Sequence, residues 1–156
     1  MANLYLEIDP FAYGLKGHSL HIGSQGYGFR LQIGIFAAEL PDSFKNNTQF
    51  NVSQGGMGIK VDYYGKDSKG SFIGIEYGKT SADYQLTSGG QIQQQTIDFI
   101  GIRTGYKIAF TQSAFITPWI GLNKNISNTP DTHIDEQTYY SDNWTLFPTI
   151  HLGFEF

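Results

Sequence analysis

The sequence predicts an all-β fold: eight antiparallel strands in up-and-down order, closed into a transmembrane β-barrel that forms a single domain over residues 1–156. Three observations predict it. Long segments alternate between an apolar face and a mixed or polar one, which is the two-residue period of a strand. Within those segments the charged residues share their face with glycines, while the other face is nearly all Leu, Ile, Val, Met and Tyr. The connections alternate between short turns and other links, two of them long and polar.

The composition agrees. Charged residues make up 15% of the chain, against roughly a quarter in soluble domains. Mean hydropathy is −0.28, as expected where half of every strand faces a polar interior. No apolar run reaches the roughly 20 residues of a transmembrane helix. There is no cysteine, hence no disulfide framework and no thiolate metal site. A net charge of −4 argues against a nucleic-acid partner. The opening Met-Ala-Asn lacks the charged and apolar regions of an export signal. The expectation is a mature chain from which the signal has been removed.

Taken in order, Asn3 to Ala12 alternates, with Leu4, Leu6, Ile8 and Pro10 outward and Tyr5, Glu7, Asp9 and Phe11 inward. Residues 13–17 hold two glycines and read as a turn. A short strand at 16–23 places Leu20 and Ile22 outward, Ser19 and His21 inward, and 24–26 reads as a tight turn. The third strand, 27–39, carries Phe29, Leu31, Ile33, Ile35 and Ala37 opposite Arg30, Gln32 and Gly34. A polar loop at 40–49 leads to the fourth strand, 50–64, where Met57, Ile59, Val61 and Tyr63 oppose Gly58, Lys60 and Asp62. After a charged turn at 65–69, the fifth strand, 70–84, sets Ile73, Ile75 and Tyr77 against Phe72, Gly74, Glu76 and Gly78. A Gly-Gly turn within 86–91 precedes the sixth strand, 93–110, with Ile100, Ile102, Thr104, Tyr106 and Ile108 outward and Arg103 and Lys107 inward. The turn 111–113 leads to the seventh strand, 114–126, with Ile116, Pro118, Ile120 and Leu122 outward and Phe115 and Trp119 inward. A long loop, 127–143, is rich in Asp, Asn and Thr.

The last strand, Trp144 to Phe156, has a wholly apolar face of Trp144, Leu146, Pro148, Ile150, Leu152, Phe154 and Phe156. Its other face carries His151 and Glu155. A terminus is usually frayed and wet, so an apolar strand running to the final residue fits a sealed barrel with lipid against it.

This terminal strand, alternating and ending in Phe, resembles the closing strand of Gram-negative outer-membrane β-barrels of the small eight-stranded kind typified by OmpA and OmpX. The resemblance implies integral residence in the cell outer membrane. It also implies contact with outer-membrane lipids and lipopolysaccharide, and recognition of Phe156 by the barrel-assembly machinery. A monomer without a cofactor is expected. Short turns would lie on the periplasmic side together with both termini. Phe29, Tyr63, Phe110 and Phe156 would then form an interfacial girdle there.

An eight-stranded barrel has an interior that side chains just fill. The candidate ionic set inside is Glu7, Asp9, Arg30, Lys60, Asp62, Glu76, Arg103, Lys107 and Glu155. Buried charges must be paired, or each costs several kcal/mol, roughly. The expectation is therefore a packed ion-pair plug rather than an open pore, with loops 40–49 and 127–143 available for contacts.

Two other functions are weighed. Ser19 and His21, with Asp9 or Glu7 on the neighbouring strand, are the parts of a nucleophilic triad. Within the resembled class, the lipid A palmitoyltransferase and deacylase families place Ser and His near the outer rim. No local motif matches either, and residues two apart on one strand face sit roughly 7 Å apart. His21 and His151 with Glu7, Asp9 or Glu155 could bind a metal, but nothing fixes the spacing, and His18 and His133 fall in or near loops. No metal site is therefore assigned. Pro10, Pro118 and Pro148 fall on outward faces of the first, seventh and eighth strands, which closure makes neighbours. Proline cannot donate to a ladder, and the resembled palmitoyltransferase family uses proline-interrupted strands as a lateral route for lipid. A lateral site for a small hydrophobic molecule is the second reading, and a lipid-modifying enzyme the third.

Overall fold

The computed structural model describes residues 3–65 and 69–156. The start of the chain and the middle of the expected turn at 65–69 lie outside the described residues. Eight strands close into one antiparallel barrel: β1 (Asn3–Ile8), β2 (His18–Gly26), β3 (Phe29–Glu39), β4 (Phe50–Tyr63), β5 (Gly70–Leu86), β6 (Ile92–Ala109), β7 (Ala114–Asn125) and β10 (Trp144–Glu155). Each pairs with its sequence neighbour, and β10 returns to β1 through Tyr5↔Glu155 and Ile8↔Leu152. Two short strands in the last loop, β8 (Thr132–Ile134) and β9 (Gln137–Tyr139), form a separate hairpin.

Three expectations about local structure are corrected. The first strand does not run to Ala12: it stops at Ile8, and α1 (Pro10–Gly14) follows. Asp9 caps it, its carboxylate accepting the Phe11 N–H at 2.9 Å. Pro10 occupies the first turn, where its missing N–H needs no partner. Residues 13–17 are accordingly the end of this helix and its exit, with Leu15 N–H donating to the Phe11 carbonyl at 3.0 Å. Thirdly, the second strand runs on to Gly26, and the turn lies at Tyr27–Gly28 rather than 24–26. Tyr27 has φ 54° and Gly28 φ 80°, the two left-handed residues of the hairpin turn that matches strand twist.

The sides of the strands are as the alternation requires. Leu31, Ile33, Ile35, Ile59, Ile73, Ile75, Ile100, Ile102, Ile120 and Leu152 all face outward and are exposed. Monomeric soluble proteins rarely expose a contiguous apolar patch beyond several hundred Å², as an order of magnitude. A complete apolar belt around a closed barrel is a surface for hydrocarbon. Phe29, Tyr63, Phe110 and Phe156, at the short-turn end, are all at least half exposed, and the Phe29 and Tyr63 rings touch at 5.0 Å.

The sidedness reverses at the other end. Past Tyr77 and Ile100 the outward residues become Lys79, Ser81, Asp83 and Gln85 on β5, and Asp98, Thr96 and Gln94 on β6. The inward residues there turn apolar: Phe50, Val52, Ala82, Tyr84 and Leu86 pack with Ile134 and Tyr139 of the β8–β9 hairpin. The expected polar loop at 127–143 thus folds back as a lid over an apolar core that stands above the belt.

Candidate functional site

The lumen gathers the charged face of every long strand. Glu7, Asp9, Arg30, Lys60, Asp62, Glu76, Arg103 and Lys107 are all buried, and Glu155 is partly so. They sort into levels. At the short-turn end Lys107 Nζ lies 3.0 Å from Glu155 and donates to the Gln25 side-chain carbonyl at 2.9 Å. Asn3 closes this level from β1, its amide donating to Glu155 at 2.8 Å.

The next level is built on Glu7. Its carboxylate pairs with the Arg30 guanidinium and accepts from the Gln32 amide, while His151 Nδ1 lies 3.1 Å away. Arg30 also donates to the Tyr64 hydroxyl at 2.9 Å and lies 4.1 Å over the Tyr5 ring. Across from it, Arg103 Nε is 3.2 Å from Asp62, and a second Arg103 nitrogen is 4.0 Å from Glu76. The Arg103 guanidinium stacks 4.1 Å over Trp119, and the Lys60 ammonium sits 4.9 Å from the same ring. Lys60 makes no ion pair within 4.0 Å among the described residues; its charge rests on the ring face and on the acids around it.

Glycine makes room for these groups. A Cβ at Gly34 would overlap the His21 ring, one at Gly153 the Phe115 ring, and one at Gly101 the Asn123 side chain. The sharing of one face by glycines and bulky polar residues is therefore a packing requirement. Several buried polar atoms have no protein partner among the described residues, including His21 Nδ1, Glu76 Oε1, Trp119 Nε1 and Asn123 Oδ1. They lie on the lumen face.

The structure does not assemble the triad that Ser19, His21 and Asp9 could have formed. The Ser19 hydroxyl accepts the Asp9 backbone N–H at 3.2 Å. The Asp9 carboxylate is held by the Thr149 hydroxyl at 2.6 Å and by its helix-capping bond. The His21 ring stacks on His151, centroids 4.8 Å apart. Nor does any group of three His, Asp or Glu fit a metal among the described residues. His18 and His133 are exposed.

The prolines also separate. Pro10 lies in α1, outside the ladder. Pro118 interrupts the β6–β7 pairing, whose register runs from Gly105↔Trp119 straight to Ile108↔Ile116 with no bridge at 106–107 and 117–118. Pro148 leaves β7–β10 intact, pairing with Ile120. Phe156, of the same parity on the same strand, donates to Leu4 of β1, and Glu155 donates to Ser113 on the β7 side. Pro148 therefore turns its nitrogen toward the β1 side, where β1 has already ended and α1 stands. The prolines do not share one seam. What lies there instead is a wall section made by α1, with Phe11 and Tyr13 exposed upon it and the inward-facing Phe147 still 38% exposed.

The ionic set expected from the sequence leaves out two parts of this site. Gln32, Thr117 and Thr149 share the inward parity of the charges and supply hydrogen bonds to Glu7 and Asp9. In the lid, Gln95 donates to the Pro130 carbonyl at 2.9 Å and to the Thr132 hydroxyl at 2.8 Å. Burial holds the Tyr84 phenol up to about 12 in this apolar region, and Tyr139 is pushed up likewise, with Asp142 adding to the effect. Ile134 and Tyr139, which anchor the lid, are the signal that could have found it: two apolar residues flanking a turn in a polar loop.

A closed eight-stranded barrel with an outward apolar belt and an ionic lumen defines the class of small outer-membrane β-barrels. Solved structures of that architecture match over nearly the whole chain. Neisserial surface protein A (NspA) is 12% identical, with 99% of this chain and 92% of that chain covered and a TM-score of 0.59. A major outer membrane protein from Thermus thermophilus is 10% identical, with both chains covered in full and a TM-score of 0.63. The N-terminal β-barrel domain of Pseudomonas aeruginosa OprF is 13% identical, with 99% and 96% covered and a TM-score of 0.54. No family model and no curated protein sequence matches the chain.

Proposed function

We propose that this protein is an integral outer-membrane barrel with a structural or binding role, its lumen closed by packed ionic side chains and its lid end offered at the cell surface. The observation that carries this reading is the Arg30–Glu7 and Asp62–Arg103–Trp119–Lys60 packing across a barrel of only eight strands. Outer-membrane lipid and lipopolysaccharide cover the belt. The assembly machinery reads Phe156, which is 67% exposed beside the β1–β10 seam. The decisive experiment is conductance in a planar bilayer, with insertion verified separately. No steady current is expected from the inserted protein; a stable ohmic pore would overturn the plug.

A second reading is favoured by one observation: the wall above β1 is a helical turn rather than a strand, and the inward-facing Phe147 of β10 keeps 38% exposure. This seam would take a small hydrophobic molecule or one lipid chain. Binding of a fluorescent fatty acid in lipid nanodiscs, lost on Phe147→Asp, supports it; equal binding by both forms removes it.

A further inference from the structure

Above the belt, β6 has an open edge. β7 ends at Asn125 opposite Phe99, while β6 continues to Ile92. The direction of the β6 backbone groups is fixed at Asp98. Its N–H donates to the Ser127 hydroxyl, and its carbonyl accepts the Ile126 N–H at 2.9 Å, so both point away from β5. The β5–β6 register holds without a bulge from Lys79↔Asp98 through Ser81↔Thr96 and Asp83↔Gln94 to Gln85↔Ile92. Alternate residues of a strand direct N–H and C=O the same way. Thr96, Gln94 and Ile92 therefore present theirs at the open edge, and none of these backbone groups bonds to a loop among the described residues.

We propose that this edge pairs with the same edge of a second copy of the chain, carried by a facing membrane. The segment is complementary to itself. Paired antiparallel about Gln94, it sets Gln94 against Gln94 and Ile92 against Thr96, so every N–H presented at the edge meets a carbonyl. The stretch Ile92–Ile97 (IQQQTI) holds no charge and no proline, and so lacks the devices that blunt exposed edges. No like charges meet across the pair. The geometry also excludes two copies in one bilayer. Rotation about the membrane normal leaves both β6 strands descending together, and their tilt makes them cross. Antiparallel pairing inverts the partner, which places its barrel in an opposed membrane.

The proposal rests on residence in a bilayer, so the test reads insertion first. Proteoliposomes of the full chain are checked for insertion by resistance of the barrel to protease, and their clustering is followed by light scattering. Wild-type vesicles cluster. Gln94→Lys vesicles alone, and Gln94→Glu vesicles alone, stay dispersed, because like charges face each other across the two-fold axis. Mixing the two restores clustering. The Gln94 amide donates to the Asp83 carboxylate on β5 at 2.7 Å, so both variants, and the reference protein, carry Asp83→Asn to leave position 94 as the one charge that changes; neither position lies in the core. Inserted wild-type vesicles that stay dispersed, or variants that cluster as wild type does, overturn the self-pairing and leave the membrane reading standing. Failure to insert overturns both.

Discussion

Gly34 and Gly14 are both glycines in a barrel wall, yet they answer to different needs. A Cβ at Gly34 would enter the His21 ring, which its stack on His151 holds in place; a Cβ at Gly14 meets nothing within 4 Å. Gly34→Ala is expected to destabilise the folded barrel by about 1–3 kcal/mol through overpacking, while Gly14→Ala leaves stability unchanged or slightly higher. Urea titration in lipid vesicles, followed by tryptophan fluorescence, separates them; equal midpoints would refute the packing account. Glu7 gives a second test at this scale. Its carboxylate serves Arg30, Gln32, Thr117 and His151. Glu7→Ala strands a buried guanidinium, and the same titration should lose about 3–5 kcal/mol. Replacing Glu7 and Arg30 together by Gln and Met should lose less than Glu7→Ala alone; a larger loss would mean that the other partners dominate. Parity alone put each of these charges on the inner face in the sequence. It could not pair them, because the stagger between strands sets which charges share a height, and no residue type records that stagger.

At the scale of elements, the long strands were legible because each buries one face and exposes the other. The exceptions have local causes. Asp9-Pro10 is a helix-start pair, but it sits in a run that alternates like a strand, and the alternation masked it. At the Tyr27–Gly28 turn Gly26 draws the sequence expectation too early, because a tyrosine with positive φ is not a residue that announces a turn. The two strand prolines make predictions of opposite sign. Pro118 leaves the Tyr106 carbonyl without its β7 donor, so Pro118→Ala adds one ladder bond, worth about 0.5–1.5 kcal/mol, offset in part by a freer unfolded chain. Pro148 turns its nitrogen toward α1, so Pro148→Ala adds an N–H with no strand acceptor, at a cost of about 1–3 kcal/mol. Proton–deuteron exchange in detergent micelles should find the new amide at 118 protected and hydrogen-bonded. Destabilisation of equal size by both changes would show that proline acts here only through the unfolded chain.

For the whole molecule, the governing fact is where the outer surface changes character. Ile33, Ile59 and Ile102 face outward amid the belt, whereas Ser53 and Ser81 face outward beyond its upper border. Apolar residues outside and ions inside give way there to polar residues outside and an apolar core beneath a lid. One chain thus satisfies two solvents, and the border between them should be measurable as energy. Arginine placed on the lipid face costs roughly 2–4 kcal/mol at the bilayer midplane and about 0–1 near its edges. Ile33→Arg and Ile102→Arg should each lose the larger amount in vesicle unfolding, and Ser53→Arg and Ser81→Arg almost nothing. The same four variants in detergent should converge, since a micelle deforms around a charge more readily than a bilayer. A cost at Ser81 equal to that at Ile102 would mean that the belt extends over the β5–β6 hairpin. The open β6 edge would then lie in hydrocarbon, where unpaired backbone groups cannot stand, and self-pairing between facing membranes would fail with it.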